Sequence, residues 1–96
     1  MKELDFYNWL KHKNTSPKLC SDYISRLKRL EISLKECDLD EEYLKDEFLS
    51  LLELFKKSGQ NKKMASRLIG NLPIGKYHIA TYKYALNKYL EFLKST

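Results

Sequence analysis

The sequence predicts an all-α fold, and three observations lead to that class. The 96 residues include only three glycines and two prolines, so few turns interrupt the chain. The C-terminal segment places apolar side chains at helical spacing, and no segment alternates apolar and polar residues as a strand does. An apolar fraction of 43% and an aromatic fraction of 12% are enough for one core. We therefore expect a single domain, residues 1–96, that forms a compact bundle of four to five helices.

The first helix is expected to run from about Lys2 to His12. Phe6, Trp9 and Leu10 share one face of this helix. Trp9 is the only tryptophan, and we interpret it as a core anchor, because its large ring contributes most when buried.

The second helix is predicted to begin at Pro17, with Ser16 as its N-cap, and to end near Leu34 or Lys35. The serine hydroxyl can accept a free backbone N–H, and proline suits the first helical position because it has no N–H to satisfy. The expected buried stripe consists of Leu19, Tyr23, Leu27, Leu30 and Leu34.

A third helix is expected after the acidic turn, capped by Asp38 or Asp40 and ended by Gly59 as its C′ glycine. Carboxylates in the first turn suit the positive end of the helix dipole. The core face is predicted to hold Leu44, Phe48, Leu51, Leu52 and Phe55.

A short fourth helix is predicted from Asn61 to Ile69, with Met64, Ala65 and Leu68 facing inward. A connector at residues 72–76 leads into the last helix. The core stripe of that helix is expected to be Ile79, Tyr82, Leu86, Tyr89 and Leu93, widened by Leu90.

Charge is strongly segregated along the chain, whose net charge is +5. Residues 1–37 carry a net charge of +3, residues 38–55 carry −6, and residues 56–96 carry +8. A concentrated positive charge favours a polyanion as ligand. The third segment is therefore the candidate polyanion-binding part.

Basic and aromatic side chains alternate on the outer side of the last helix, where Thr81, Tyr84 and Lys88 follow Tyr77. Ammonium groups can meet phosphates, and rings can stack on bases, although tyrosines on helices also line cores with their hydroxyls at the rim. Arg26 clusters with two further basic residues on the outer side of the second helix. The candidate nucleic-acid contacts are Lys28, Arg29, Lys62, Lys63, Arg67, Lys76, Tyr77, Lys83, Tyr84 and Lys88.

The acidic segment permits two interpretations: a solvated helix face, or a docking surface for a basic partner. Charged runs on helices usually face water, which favours the first interpretation. The candidate partner-binding residues are Asp38, Asp40, Glu41 and Glu42.

The sequence lacks the motifs that are typical of several functional classes. There is no glycine-rich phosphate loop and no Ser-His-Asp order, and the acidic segment lacks the spacing and glycine of a calcium loop. Two cysteines and two histidines at unrelated spacings do not predict a zinc site. We expect no enzyme activity, no metal, no cofactor and no small-molecule substrate.

The N-terminus lacks the apolar core of a signal peptide, and no apolar run is long enough to cross a membrane. We therefore expect a cytoplasmic protein. Cys20 and Cys37 are then expected to be thiols.

The arrangement resembles the N-terminal core-binding (SAM-like) domain of tyrosine recombinases, the phage integrase family. The matching positions of the first helices are Phe6-x-x-Trp9-Leu10, Ser16 and Tyr23-x-x-x-Leu27-x-x-Leu30. Those of the last helix are Tyr82-x-x-Ala85-Leu86-x-x-Tyr89-x-x-Phe92-Leu93. They cover most of the chain.

This resemblance implies a four- or five-helix bundle that clamps DNA and carries no chemistry itself. The segment 61–77 is longer than the corresponding link in that family, and the third helix is more acidic. The family's catalytic residues have no counterpart in these 96 residues, so none of the seven tyrosines is interpreted as a nucleophile.

Two functional hypotheses follow. The first is a non-catalytic module that binds the backbone of single- or double-stranded DNA, within the DNA-processing system of a mobile element. The second is a protein–protein adaptor, an accessory subunit of a larger DNA recombination or replication enzyme such as a recombinase or a polymerase/primase. With fifteen lysines and three arginines, bidentate recognition of guanine is sparse, so we expect weak sequence specificity.

Overall fold

In the computed structural model, residues 1–75 and 78–95 are described, and helices dominate them. This part of the chain contains no β-strand, only an isolated antiparallel bridge between Leu34 and Leu68. The all-α prediction is confirmed. The elements are α1 (Glu3–His12), α2 (Pro17–Ser33), α3 (Leu39–Asp46), α4 (Leu49–Glu53), a 3₁₀ turn (Lys56–Gly59), α5 (Lys62–Arg67) and α6 (Ile79–Lys94).

Helix starts follow the capping residues that the sequence predicted. The Ser16 hydroxyl accepts the Leu19 N–H (3.2 Å), and Pro17 opens α2. Asp38, rather than Asp40, caps α3. These caps satisfy backbone donors that would otherwise lack a partner at a helix start.

The core lies where α2 and α6 pack against each other, with α1 covering one side. The last-helix stripe is buried as predicted, and Leu27 and Leu86 have no solvent exposure. Phe6 meets Tyr89 edge-to-face, with ring centroids 5.1 Å apart. The radius of gyration, 12.9 Å, agrees with the value of about 13 Å expected for a compact domain of this size.

The third helix is divided, which corrects the prediction of one continuous helix. Glu47 and Phe48 both adopt left-handed backbone angles (φ 54° and 71°), so α3 ends and α4 starts in a new direction. The predicted stripe assumed unbroken helical spacing across this point. Phe48, Leu51 and Phe55 are buried as expected, but Leu44 is 82% exposed.

Other core assignments also need correction. Leu19 is 40% exposed, because the first turn of α2 turns Cys20 to the core in its place. Trp9 is half-buried at the edge of the cluster, and Ala65 is exposed. The six-residue α5 is too short for a full stripe and buries mainly Met64.

Gly59 has the left-handed angle expected of a terminal glycine (φ 81°), although it ends the 3₁₀ turn rather than α3. Cys20 and Cys37 are free thiols. Among the described residues, no helix is long and apolar enough to cross a membrane. The same residues contain no group of three or more His, Cys, Asp or Glu side chains that could hold a metal ion.

Candidate nucleic-acid interface

Arg67 and Glu42, predicted for two different surfaces, form an ion pair with each other. Arg67 Nη1 lies 2.9 Å from Glu42 Oε1, and Nη2 donates to the Lys35 carbonyl (2.8 Å). The Glu42 side chain is 7% exposed and that of Arg67 is 24% exposed. The guanidinium is thus occupied in joining the end of α5 to α3 and to the segment after α2.

Two more residues of the acidic segment have structural partners. Asp38 Oδ1 accepts the backbone N–H groups of Asp40 and Glu41 at the start of α3. Asp40 Oδ1 accepts the Tyr89 hydroxyl (2.6 Å), and its other oxygen lies 3.6 Å from the amino group of Met1. Burial raises the pKa of Tyr89, and the hydrogen bond to Asp40 adds to that effect. Of the four candidate acids, only the exposed Glu41 has no such partner among the residues that the structure describes.

A cluster of four lysines surrounds the junction of the 3₁₀ turn and α5. Asn61 builds this junction: its Oδ1 accepts the Met64 N–H (2.9 Å), and its Nδ2 donates to the Leu54 and Lys56 carbonyls (3.0 and 2.8 Å). The cluster, called the lysine turn below, consists of Lys56, Lys57, Lys62 and Lys63.

One carboxylate, Glu53, faces the lysine turn. It contacts Lys63 closely and Lys56 at 3.8 Å. The hydrogen bond from Lys63 and the two lysine charges lower the pKa of Glu53. Lys57 and Lys62 are exposed and form no ion pair with any residue that the structure describes. Four positive charges therefore share a single negative one.

A groove between α2 and the start of α6 carries two arginines. Arg26 and Arg29 are three residues apart and lie on one flank of α2, because Tyr23, Leu27 and Leu30 take the core side. Arg29 Nε donates to the Asn71 carbonyl (3.1 Å), which fixes its guanidinium. This arginine groove is lined by Arg26, Arg29, Asn71, Leu72, Pro73, His78, Thr81 and Tyr82. No carboxylate is among these lining residues.

The segment 70–75 joins the arginine groove to the lysine turn. At one end the Asn71 carbonyl accepts Arg29, and at the other the Gly75 N–H donates to the Ser58 carbonyl (2.8 Å). Gly70 lies so close to α2 that an added Cβ would stand 3.2 Å from the Ser33 backbone. The two basic clusters therefore flank one connector, and together they are called the basic surface below.

The remaining candidates are more dispersed. Lys28 pairs with Glu3 (2.9 Å) on the α1 side, and Lys88 pairs with Glu91 (3.4 Å) along α6. Lys83 is exposed and has no ion-pair partner within residues 1–75 or 78–95. Lys76 and Tyr77 lie outside the described residues.

Tyr84 is 55% exposed and stacks on Tyr23, with ring centroids 5.8 Å apart and planes at 29°. Lys88 Nζ lies 6.0 Å from its ring centroid. The predicted basic and aromatic side of α6 therefore exists at Tyr84 and Lys88, next to the α2 flank.

Sequence reasoning left several residues of the basic surface out of the candidate site. Helical spacing could have indicated Arg26 as a site residue, because it lies one turn before Arg29. Lys56 and Lys57 directly follow the predicted core face of the third helix, so the sequence indicates only a basic C-terminal end of that helix. Tertiary packing brings three further residues to the groove, and no local sequence pattern predicts that: Asn71, His78 and Thr81.

The chain matches no protein-family model, no curated protein and no solved structure. The resemblance to the recombinase core-binding domain therefore rests on the residues of this sequence alone.

Proposed function

We propose that this protein is a non-catalytic DNA-binding module that holds the nucleic-acid backbone on the surface formed by the arginine groove and the lysine turn. One observation carries the proposal: six basic side chains flank the connector 70–75, and Glu53 is the one carboxylate among the residues lining the two clusters. Such a charge imbalance attracts phosphates and releases their counterions on binding.

The two clusters suit different parts of that task. The planar guanidinium groups of Arg26 and Arg29 can each hold a phosphate with two parallel hydrogen bonds, and Arg29 is already oriented by the Asn71 carbonyl. The lysine turn presents flexible point charges that follow a backbone without fixing its register. Phosphate contacts carry no sequence information, so binding should vary little with base sequence.

The resemblance to the core-binding domain of tyrosine recombinases supports DNA as the ligand and a mobile element's DNA-processing system as the setting. Those domains contribute DNA contacts and leave the chemistry to another domain. A role without catalysis also agrees with the absence of any nucleophile–base arrangement in the motifs of the sequence.

Fluorescence anisotropy titrations at several salt concentrations, from about 50 to 200 mM, test the proposal. We expect binding of the wild-type protein to weaken steeply with salt. Replacing Arg26 and Arg29 together by alanine, or Lys57 and Lys62 together, should flatten the logarithmic salt slope by about one to two units, roughly one per lost phosphate contact.

The matched control removes two positive charges elsewhere. Lys18 and Lys45 are exposed and outside both clusters, so the Lys18→Ala/Lys45→Ala variant should keep the wild-type slope. Wild-type protein without salt-dependent binding would overturn the proposal. An equal effect of the control variant would assign binding to net charge rather than to this surface.

A second candidate function, the adaptor, is favoured by exposed apolar side chains. Leu44 is 82% exposed and Ile69 is 60% exposed. Ile69 shares a surface groove with Glu41 and Lys45, which lie on the same helix as Leu44. Apolar side chains ringed by charges are typical of protein interfaces.

Co-purification with an enzyme partner separates the two candidates. In an adaptor, Leu44→Ser and Glu41→Lys should release the partner while salt-dependent DNA binding stays intact. Glu41 is the useful acid for this test, because Asp38, Asp40 and Glu42 hold the fold together. A partner retained by both variants would count against this groove as the interface.

A further inference from the structure

A pair of stacked tyrosines lies beside the arginine groove. Tyr23 precedes Arg26 by one turn of α2, and Tyr84 follows Thr81, a groove residue, by one turn of α6. The two rings stack across the helix pair at 5.8 Å. The aromatic pair therefore continues the groove along the α2–α6 boundary.

The two rings of this pair differ in exposure. Tyr23 is 5% exposed and belongs to the core, whereas Tyr84 is 55% exposed. Burial, helped by the neighbouring Tyr84 hydroxyl, raises the pKa of Tyr23, and the nearby Arg26 charge opposes that rise. Tyr23 thus acts as a fixed support, and Tyr84 presents a ring to solvent that is already held in place on one side.

The chain contains a similar pair that lacks this setting. On α1, Lys11 Nζ lies 5.7 Å from the Tyr7 ring centroid, the same four-residue spacing as Tyr84 and Lys88. Tyr7 lines a shallow groove with Glu3, Leu4 and Ile24, and none of these lining residues is an arginine. The exposed Tyr84 ring therefore differs from the Tyr7 ring in lying beside the arginine groove.

We propose that the ligand is single-stranded, with an unpaired base stacked on Tyr84 and the adjacent phosphate in the arginine groove. The proposal rests on the backbone binding proposed above and adds the strand form. Every base has a face that can stack on an aromatic ring, and an unpaired base exposes that face. In a duplex the same faces are covered by neighbouring base pairs, so Tyr84 has nothing to stack on there.

The test compares three ligands of equal length: oligothymidine, a duplex, and a strand made wholly of abasic sites. Tyr84→Ala should weaken oligothymidine binding about 5- to 150-fold, the range for loss of one stacked base. Tyr84→Phe should retain binding, because the ring remains. Neither change should alter binding of the duplex or of the abasic strand by more than about twofold, since phosphate contacts remain.

Tyr7→Ala is the matched control, and it should bind all three ligands as the wild type does. A series with oligouridine assigns the strand to RNA or DNA, and a loss with Tyr84→Ala on either strand supports the proposal. If Tyr84→Ala weakens the abasic strand and the duplex as much as oligothymidine, or leaves oligothymidine unchanged, stacking is overturned while backbone binding stands. If the wild type shows no salt-dependent binding to any ligand, both proposals fail together.

Discussion

Arg67 at the end of α5 and Arg26 on α2 have opposite surroundings. Arg67 faces the carboxylate of Glu42, which is 7% exposed, and also donates to a backbone carbonyl. Arg26 lines a groove beside a second arginine, and none of the described residues that line it carries a carboxylate. An arginine therefore stabilises the fold in one region, whereas in the other an arginine offers its charge to solvent.

The difference shows why segment charge is a poor guide to a binding surface. Residues 56–96 carry a net charge of +8, yet Arg67 and Lys63 within them are paired to acids of the preceding segment. Residues 1–37 carry only +3, yet they supply both arginines of the groove. What matters for a polyanion is the charge left over after tertiary pairing.

The largest expected effect separates the two arginines by stability. Arg67→Ala should lower the free energy of unfolding by about 3 kcal/mol, the lower end for breaking a buried pair, because Arg67 keeps some exposure. Arg26→Ala should change it by no more than about 0.5 kcal/mol, as surface substitutions do. Urea unfolding followed by circular dichroism measures both, and anisotropy should show that Arg26→Ala weakens DNA binding.

The double variant Arg67→Met/Glu42→Leu is the control, because it removes both charges and leaves none buried alone. It should recover most of the stability lost in Arg67→Ala. The comparison breaks down if Arg67→Ala is as stable as the wild type and reduces the salt slope as Arg26→Ala does. Arg67 would then be a phosphate ligand.

Much of the fold could be predicted from the sequence, because its signals are local. Ser16, Pro17 and Asp38 set helix starts through contacts within one turn, and the α6 stripe from Ile79 to Leu93 follows helical spacing. The break at Glu47–Phe48 could not be predicted, since neither residue favours a left-handed backbone. Packing of Phe48 into the core outweighs that local preference.

The site was less predictable, because it depends on which charges meet. Helical spacing placed Tyr84 and Lys88 on one side of α6, and Arg29 on the outside of α2. The Arg67–Glu42 pair joins residues 25 positions apart, and Arg29 reaches a carbonyl 42 positions away. Such contacts follow from tertiary packing, so no local pattern could separate the paired charges from the open ones.

A second prediction concerns Cys37. Burial raises the pKa of its thiol to about 12, and the nearby Arg67 charge opposes that rise. The folded thiol keeps its proton up to that pH, while the unfolded thiol releases it near 9.0. Its stabilising contribution is therefore complete below pH 9 and is lost as pH rises towards 12. Between pH 8 and 10 the wild type should lose up to about 1 kcal/mol through this thiol, because the linkage slope is about 1.4 kcal/mol per pH unit per proton and Cys37 is only partly buried.

Cys37→Ala isolates that part of the decline. The variant should keep only the loss that begins near pH 10, where burial raises the pKa of Tyr23 and Tyr89. In Arg67→Ala the decline between pH 8 and 10 should keep its slope, because the unfolded thiol sets that slope while the folded thiol stays protonated. Equal unfolding free energies of the wild type at pH 8 and 10, or the same decline in Cys37→Ala, would contradict the prediction.

The smallest expected effect is a gain of binding. Glu53→Gln removes the one carboxylate at the lysine turn and releases Lys56 and Lys63 from their ion pairs. We expect DNA to bind more tightly at low salt, with a salt slope steeper by up to about one unit. The Glu53 side chain is only partly covered (41% exposed) and its lysine partners are at the surface, so the urea midpoint should hardly move.

Glu41→Gln makes the same change of charge on α3, outside both basic clusters, and serves as the control. If backbone binding uses the local surface, Glu53→Gln should strengthen it and Glu41→Gln should not. An equal gain in both variants would mean that the phosphates respond to the net charge of the whole protein. In that case the distinction between paired and open charges, which separates Arg67 from Arg26, would not govern where the nucleic acid binds.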